Sequence, residues 1–135
     1  MLCIVILNTK KMKYKNILQI DDDIDDCSFF SEALEEISDA QYTAIHNPLL
    51  ALEKLISREI CPDIIFLDFN MPAMNGIELL GEIKKAKVLL DIPIILFSTS
   101  ITTEVKNKAA SLGVLDSLIK PSDFCVLKKL LSHIV

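Results

Sequence analysis

Short apolar runs alternate along this chain with longer stretches in which apolar residues recur at helical spacing. The runs are four to six residues long and end at polar residues, so they predict buried strands. Five such strands are predicted, at 17–20, 42–45, 64–67, 94–97 and 114–119. Amphipathic helices are predicted to follow them, at 25–38, 48–57, 75–83, 102–112 and 122–133. This alternation predicts an α/β fold in which helices cover both faces of a parallel sheet.

The predicted boundaries carry residues that begin or end helices. Asp25 and Asp26 enrich the first turn of the first helix with acid, Gly113 follows the fourth helix, and Ser122 is placed to cap the last one. All five prolines fall at predicted boundaries, namely Pro48, Pro62, Pro72, Pro93 and Pro121. The pattern is that of five consecutive βα units.

The first seven residues are apolar, and two interpretations of them stay open. The run is too short to span a bilayer, and it lacks the basic start and the cleavage site of a signal peptide. It either adds an edge strand or lies upstream of a true translation start at Met12. The second interpretation is favoured, because the residues after Met12 lead straight into the first strand. We expect an extension at 1–13 and the domain at 14–135.

Composition narrows the class of protein. A chain of 135 residues fits one domain, and 51% hydrophobic residues suffice for a packed core. The net charge of −5 disfavours nucleic-acid binding, because such modules usually carry a basic face. The four cysteines (Cys3, Cys27, Cys61 and Cys125) form no CxxC pair and have no histidine at metal-ligand spacing. We therefore expect reduced thiols in a cytoplasmic protein with no nucleic-acid or membrane partner.

Polar residues stand directly after four of the predicted strands. They are Asp21, Asp22 and Asp23 after the first strand, Asp68 after the third, Ser98 after the fourth and Lys120 after the fifth. In an open α/β sheet, ligands bind beyond the carboxyl ends of the strands. If the first strand lies between the second and the third, these groups converge on one patch. Clustered carboxylates repel one another, and Mg²⁺ relieves that repulsion, while a lysine and a hydroxyl can hold phosphoryl oxygens. The pattern favours a carboxylate that accepts a phosphoryl group.

Each of these residues also has a purely structural interpretation. The acids at 21–23 fit a helix-capping cluster, and Asp68 fits a turn. Lys120 fits an exposed surface position, and Ser98 fits the N-cap region of a helix. Their joint occurrence at four strand ends favours a shared site.

At this point the sequence resembles the receiver domain of two-component response regulators, of the stand-alone type. The resemblance runs from about Lys15 to the C-terminus. It is carried by four stretches, at 17–26, 63–76, 93–98 and 119–121. By analogy, we expect a flavodoxin-like sheet of five parallel strands in the order 2-1-3-4-5.

The resemblance implies a metal site and a phosphoacceptor. Asp68 matches the phosphorylated aspartate, and Asp22 matches the direct ligand of Mg²⁺. Asp21 is then its partner, which usually acts through water, and Asn70 binds the metal through its backbone carbonyl.

The resemblance also implies a switch and a cation beside the phosphoacceptor. Ser98 matches the switch hydroxyl that moves to the phosphoryl group, and Lys120 matches the lysine that pairs with the phosphoaspartate. A cis peptide bond is expected between Lys120 and Pro121.

Two positions depart from the family. Thr99 is bulkier than usual, and Ser117 replaces the aromatic residue whose rotation is coupled to the switch.

These residues predict a domain controlled by phosphorylation. A histidine kinase or a histidine phosphotransfer protein would supply the phosphoryl group, and the phosphorylated surface would bind a downstream protein as a monomer or weak dimer. No output domain is expected after the last helix, and no enzyme activity beyond self-phosphorylation and autodephosphorylation.

Two alternatives to this function stay open. One is a constitutive interaction module, which Ser117 favours mildly. The other is an aspartyl phosphohydrolase, which Asn70 disfavours because such enzymes place an acid there.

Overall fold

The computed structural model describes residues 13–135. The two interpretations of the N-terminal run, an edge strand or a start at Met12, lie outside the described residues. The five strands are β1 (Asn16–Ile20), β2 (Gln41–Ile45), β3 (Ile64–Leu67), β4 (Ile94–Ser98) and β5 (Asp116–Ile119). The five helices are α1 (Ile24–Ile37), α2 (Pro48–Ile56), α3 (Gly76–Lys85), α4 (Thr103–Ser111) and α5 (Phe124–Ile134). A short 3₁₀ turn at Lys87–Leu89, which the sequence pattern did not indicate, connects α3 to β4.

The strands form one parallel sheet in the order β2-β1-β3-β4-β5. This order confirms the predicted fold class and places β1 between β2 and β3. The chain crosses over after β2, so the ends of β1 and β3 become neighbours, with Ile20 opposite Leu67. A crevice beyond that pair of strand ends is where α/β sheets bind ligands.

The two faces of the sheet bury separate apolar clusters, because successive side chains of a strand point to opposite sides. On one face, α2, α3 and α4 cover residues such as Leu18, Ile65 and Leu96. On the other face, α1 and α5 cover residues such as Ile17 and Phe66. This second cluster contains packed aromatic rings, with Phe30 and Phe66 at a centroid distance of 4.9 Å. Both faces of the central strands are fully buried, which explains their continuous apolar runs.

Two boundary predictions are wrong. The last helix is capped by Asp123, whose carboxylate accepts from the N–H of Val126, and Ser122 does not serve as its N-cap. An aspartate there also places its negative charge at the positive end of the helix dipole. The fifth strand begins at Asp116, because the Val114 N–H still donates to the Ala109 carbonyl in the turn that follows α4. No helix within residues 13–135 has the length and apolar content needed to cross a membrane.

Candidate functional site

The hydrogen-bond ladder of the sheet continues one residue beyond three of its strand pairs. The Asp21 N–H donates to the Ile45 carbonyl at 3.1 Å, and the Asp68 N–H donates to the Ile20 carbonyl at 2.9 Å. The Lys120 N–H likewise donates to the Ser98 carbonyl at 2.9 Å. The backbones of Asp21, Asp68 and Lys120 are therefore held by the sheet itself, so that these residues occupy one edge of it.

Three carboxylates converge at this edge. Asp21, Asp22 and Asp68 each offer an oxygen atom, and the three atoms lie within 4.8 Å of one another. Asp21 and Asp68 are buried, whereas Asp22 is exposed. An all-oxygen donor set of this kind suits a hard divalent cation, and an exposed member leaves room for water. The acidic cluster is thus able to hold a metal ion.

The acids at 21–23 divide their roles. Asp23 is the N-cap of α1, and its carboxylate accepts from the N–H groups of Asp25 and Asp26. Asp21 also fixes this turn, since one of its oxygens accepts from the Asp23 N–H at 2.9 Å. The capping interpretation is therefore right for Asp23. The other two acids, Asp21 and Asp22, belong to the acidic cluster with Asp68.

Ser98 contacts the candidate phosphoacceptor directly. Its hydroxyl donates to Asp68 Oδ1 at 2.7 Å, and both side chains are buried. The N-cap of the following helix is Thr102, so Ser98 is not a capping residue. A hydroxyl held this close is also placed to donate to a group attached to the same carboxylate.

Lys120 lies beside the acids and is not an exposed surface lysine, since its side chain is only 10% exposed. Its ammonium lies 2.5 Å from Asp21 Oδ2 and 2.7 Å from Asp26 Oδ2. The separation from Asp68 Oδ1 is larger, 3.6 Å. Asp26 was not among the predicted site residues. Its place in the acidic first turn of the helix that follows the strand-end acids was the available signal.

The peptide bond between Lys120 and Pro121 is trans, since the described chain contains no cis bond. The expected cis bond is therefore wrong. The trans isomer of an X–Pro bond is ordinarily favoured by about 0.5–1 kcal/mol. With this trans bond, the Lys120 side chain already contacts the acids.

The electrostatics of the site are dominated by burial. Burial raises the pKa of Asp21 to about 6, against the opposing effect of its hydrogen bond from Lys120. Burial also raises the pKa of Asp68, against the hydrogen bond from Ser98. For Lys120, burial by itself would lower the pKa, but the hydrogen bonds to Asp21 and Asp26 outweigh it and raise the pKa. One ammonium thus faces an excess of carboxylates, which favours the uptake of a further cation.

The two remaining predicted positions lie at the edges of the site. Asn70 is exposed in the loop between β3 and α3, two residues beyond Asp68. Ser117 lies in β5 opposite Leu96, on the sheet face that α4 covers. Its hydroxyl oxygen is buried and has no hydrogen-bond partner within the described part of the chain. Thr99, the other departure from the family, is exposed.

Gly76 fixes the loop that follows Asp68. Its N–H donates to the Phe69 carbonyl at 2.8 Å, and α3 begins there with a capping box between Asn75 and Glu78. A Cβ atom at Gly76 would collide with the Asp68 carbonyl oxygen and come within 2.9 Å of Phe69 Cα. Both obstacles are backbone atoms, so only glycine lets the helix start this close to the end of β3.

Gly76→Ala is therefore expected to displace the Asp68 backbone and to lower the free energy of unfolding by about 2–3 kcal/mol. Gly81→Ala is the matched control, since Gly81 lies in the same helix with open space at its Cβ position. It is expected to stabilise the protein by roughly 0.5–1 kcal/mol through helix propensity. Urea denaturation of both variants measures the difference. Equal midpoints for the two would contradict this role of Gly76.

Comparison with protein families gives one match that spans most of the chain. The model for "Response regulator receiver domain" matches residues 17–132. Among curated relatives, a protein-glutamate methylesterase/protein-glutamine glutaminase of Desulfotalea psychrophila is 35% identical, over 83% of this chain and 30% of its own length. The transcriptional regulatory protein ZraR of Klebsiella oxytoca is 38% identical, over 87% of this chain and 26% of its own length. This chain spans less than a third of either protein.

Solved structures give the same result. The Mn²⁺-bound form of the response regulator Rcp1 superposes with a TM-score of 0.78 at 28% identity, covering 89% of this chain and 91% of that one. The phosphorylated cyanobacterial phytochrome response regulator RcpA gives a TM-score of 0.79 at 26% identity, with 90% and 91% covered.

Proposed function

This chain belongs to the response regulator receiver domain family and is a phosphoacceptor domain of that family; we propose that Asp68 is the residue that carries its phosphoryl group. The observation that carries the proposal is the surroundings of that carboxylate. Asp68 shares a cluster with Asp21 and Asp22, accepts a hydrogen bond from Ser98 and lies 3.6 Å from the Lys120 ammonium.

The chemistry is the transfer of a phosphoryl group to a carboxylate. An Asp68 oxygen attacks the phosphorus of a phosphohistidine, the O–P bond forms, the P–N bond breaks, and the released imidazole takes up a proton. Lys120 then pairs with a phosphoryl oxygen, and the Ser98 hydroxyl transfers its hydrogen bond from Asp68 to the same group. We confine the proposed catalysis to this step and to the later hydrolysis of the aspartyl phosphate, in which water attacks the phosphorus, inorganic phosphate leaves and the Asp68 carboxylate is restored. The esterase activity named for a relative is not carried over.

The metal that fits the site is Mg²⁺, and we assign it to Asp21, Asp22 and Asp68, with the backbone carbonyl of Asn70 as a further ligand. When bound, the ion neutralises negative charge that accumulates on the phosphoryl oxygens and the acids. The donor set and the Mn²⁺ bound by the related Rcp1 support this assignment. Asp21 must be ionised to contribute, and in the metal-free protein burial raises its pKa to about 6.

The function is tested by incubating the full chain with acetyl phosphate and measuring intact mass. We expect one added phosphoryl group, hydrolysed by mild alkali as acyl phosphates are. The labelling is expected to disappear with EDTA and to return with Mg²⁺. It should also slow as the pH falls below about 6, because protonated Asp21 binds the metal poorly. Labelling of equal rate in EDTA would contradict the metal assignment, and absence of labelling would contradict the function.

The proposed partners follow from the same chemistry. A histidine kinase or histidine phosphotransfer protein supplies the phosphoryl group, and a downstream protein reads the change that follows the movement of Ser98. Ser117 has no ring to rotate, so the signal must travel through the backbone and packing of β4 and β5. We propose a monomer or weak dimer, located in the cytoplasm, where thiols such as Cys27, Cys61 and Cys125 stay reduced.

A further inference from the structure

Asp26, in the first turn of α1, holds the ammonium of Lys120 together with Asp21. The Lys120 Nζ atom lies 2.7 Å from Asp26 Oδ2 and 2.5 Å from Asp21 Oδ2, but 3.6 Å from Asp68 Oδ1. The turn that carries Asp26 is fixed, because its N–H donates to the capping carboxylate of Asp23. The ammonium is thus drawn toward two carboxylates and away from the one that reacts.

Asp26 stands outside the cluster able to hold a metal ion, which consists of Asp21, Asp22 and Asp68. A dication in that cluster takes up much of the negative charge of Asp21 and weakens its attraction for Lys120. Asp26 keeps its whole charge for Lys120. It is therefore the carboxylate whose hold on the ammonium persists when the metal is bound.

We propose that Asp26 is a positioning residue that retains Lys120 in the unphosphorylated state and competes with the phosphoryl group for its ammonium. The inference rests on the proposed function, in which Lys120 pairs with a phosphoryl oxygen on Asp68. Because part of the Asp26 contact must be given up for that pairing, Asp26 disfavours the phosphorylated state. The Asp26 side chain is 37% exposed, so water weakens its ion pair, and the effect is of moderate size.

The competition is measured with beryllofluoride, a mimic of the phosphoryl group, by calorimetric titration in saturating Mg²⁺. Asp26→Asn is expected to bind beryllofluoride about fivefold more tightly than the unaltered protein. Asp26→Glu, which restores the carboxylate on a longer side chain, is expected to return the affinity toward the original value. Asp25→Asn is the matched control, since it removes the same charge from the same turn without a contact to Lys120, and it is expected to change the affinity less than twofold.

A second measurement needs neither metal nor phosphoryl mimic. In the metal-free protein, the two carboxylates should protect the Lys120 ammonium from exchange with water and give it a resolved ¹H–¹⁵N NMR signal. We expect that signal to broaden or vanish in Asp26→Asn and to persist in Asp25→Asn and Asp26→Glu.

The outcomes separate this inference from the proposed function. If the unaltered protein binds beryllofluoride and Asp68→Asn does not, the proposed function stands. An Asp26→Asn affinity equal to that of Asp25→Asn, or weaker than that of the unaltered protein, would then overturn the competition alone. Failure of the unaltered protein to bind beryllofluoride would overturn both.

Discussion

Asp68→Asn is expected to abolish covalent phosphorylation by acetyl phosphate, with no phosphoryl group detectable by intact mass. An amide oxygen is too weak a nucleophile to replace the carboxylate, and no other acid within residues 13–135 has the same surroundings. Asp68 is the acid that both accepts from Ser98 and shares the cluster with Asp21 and Asp22. A loss of labelling in this variant identifies the acceptor only if the fold survives.

The fold is expected to survive and to gain stability at neutral pH. Burial raises the pKa of Asp68 above that of an unfolded chain. A group with a raised pKa stabilises the fold below its unfolded pKa, and this stabilisation is lost as the pH rises through the folded pKa. Asparagine avoids that loss, because it is uncharged at every pH, and its amide oxygen still accepts from Ser98. Thermal unfolding at pH 7.5 without metal checks this, and we expect a midpoint at least as high as the original.

The matched control is Asp39→Asn, the same chemical change at an exposed position between α1 and β2. It is expected to leave both labelling and midpoint unchanged. Persistent labelling of Asp68→Asn at the original rate would reject Asp68 as the acceptor. Peptide mapping of the unaltered protein, with the label assigned to the peptide that contains Asp68, would complete the test.

Lys120→Met is expected to lower the free energy of unfolding of the metal-free protein by roughly 2–4 kcal/mol at pH 7.5. The lysine is the cation that contacts Asp21, Asp26 and Asp68, and its side chain is 10% exposed. Methionine fills similar space but leaves the carboxylates without a counter-charge. The same variant is expected to slow labelling by acetyl phosphate on the order of 100-fold, because the ammonium no longer stabilises the charge on the phosphoryl oxygens.

The loss of unfolding free energy in Lys120→Met is expected to grow as the pH rises. Burial already raises the pKa of Asp21 to about 6, and the loss of the ammonium raises it further. Stability from such a group is complete below its unfolded pKa and is lost as the pH rises through its folded pKa. The stability difference between the two proteins should therefore be small near pH 4 and grow as the pH rises through about 6. Denaturant titrations at several pH values measure it.

Mg²⁺ is expected to restore more stability to Lys120→Met than it adds to the unaltered protein, since the dication replaces the missing positive charge. Lys128→Met serves as the control, because Lys128 pairs with Glu36 on the surface between α1 and α5. It is expected to change the midpoint little and to gain the same stability from Mg²⁺ as the unaltered protein. A Lys120→Met deficit that is constant from pH 4 to pH 8 would contradict the electrostatic explanation.

The predicted strands agree with the observed ones to within two residues, because the signals that mark them are local. Runs such as 64–67 are apolar at every position and end at an acid. This pattern is visible in the local sequence without knowledge of the neighbouring strands. Errors occurred where two local signals competed, as at Ser122 and Asp123, which are both good helix caps. The strand order came from the resemblance to receiver domains, since hydrophobic periodicity does not specify which strands pair.

What the sequence by itself determined is therefore the succession of βα units and the polar residues that follow their strands. The tertiary structure alone decided how those residues share one ammonium. Lys120 and Asp26 are 94 positions apart, and β3 and β4 separate β5 from β1 in the sheet. The long side chain of Lys120 spans that gap. Which carboxylates it reaches depends on the twist of the sheet and on the position of α1 against the sheet. These are properties of packed elements, which no short stretch of sequence carries.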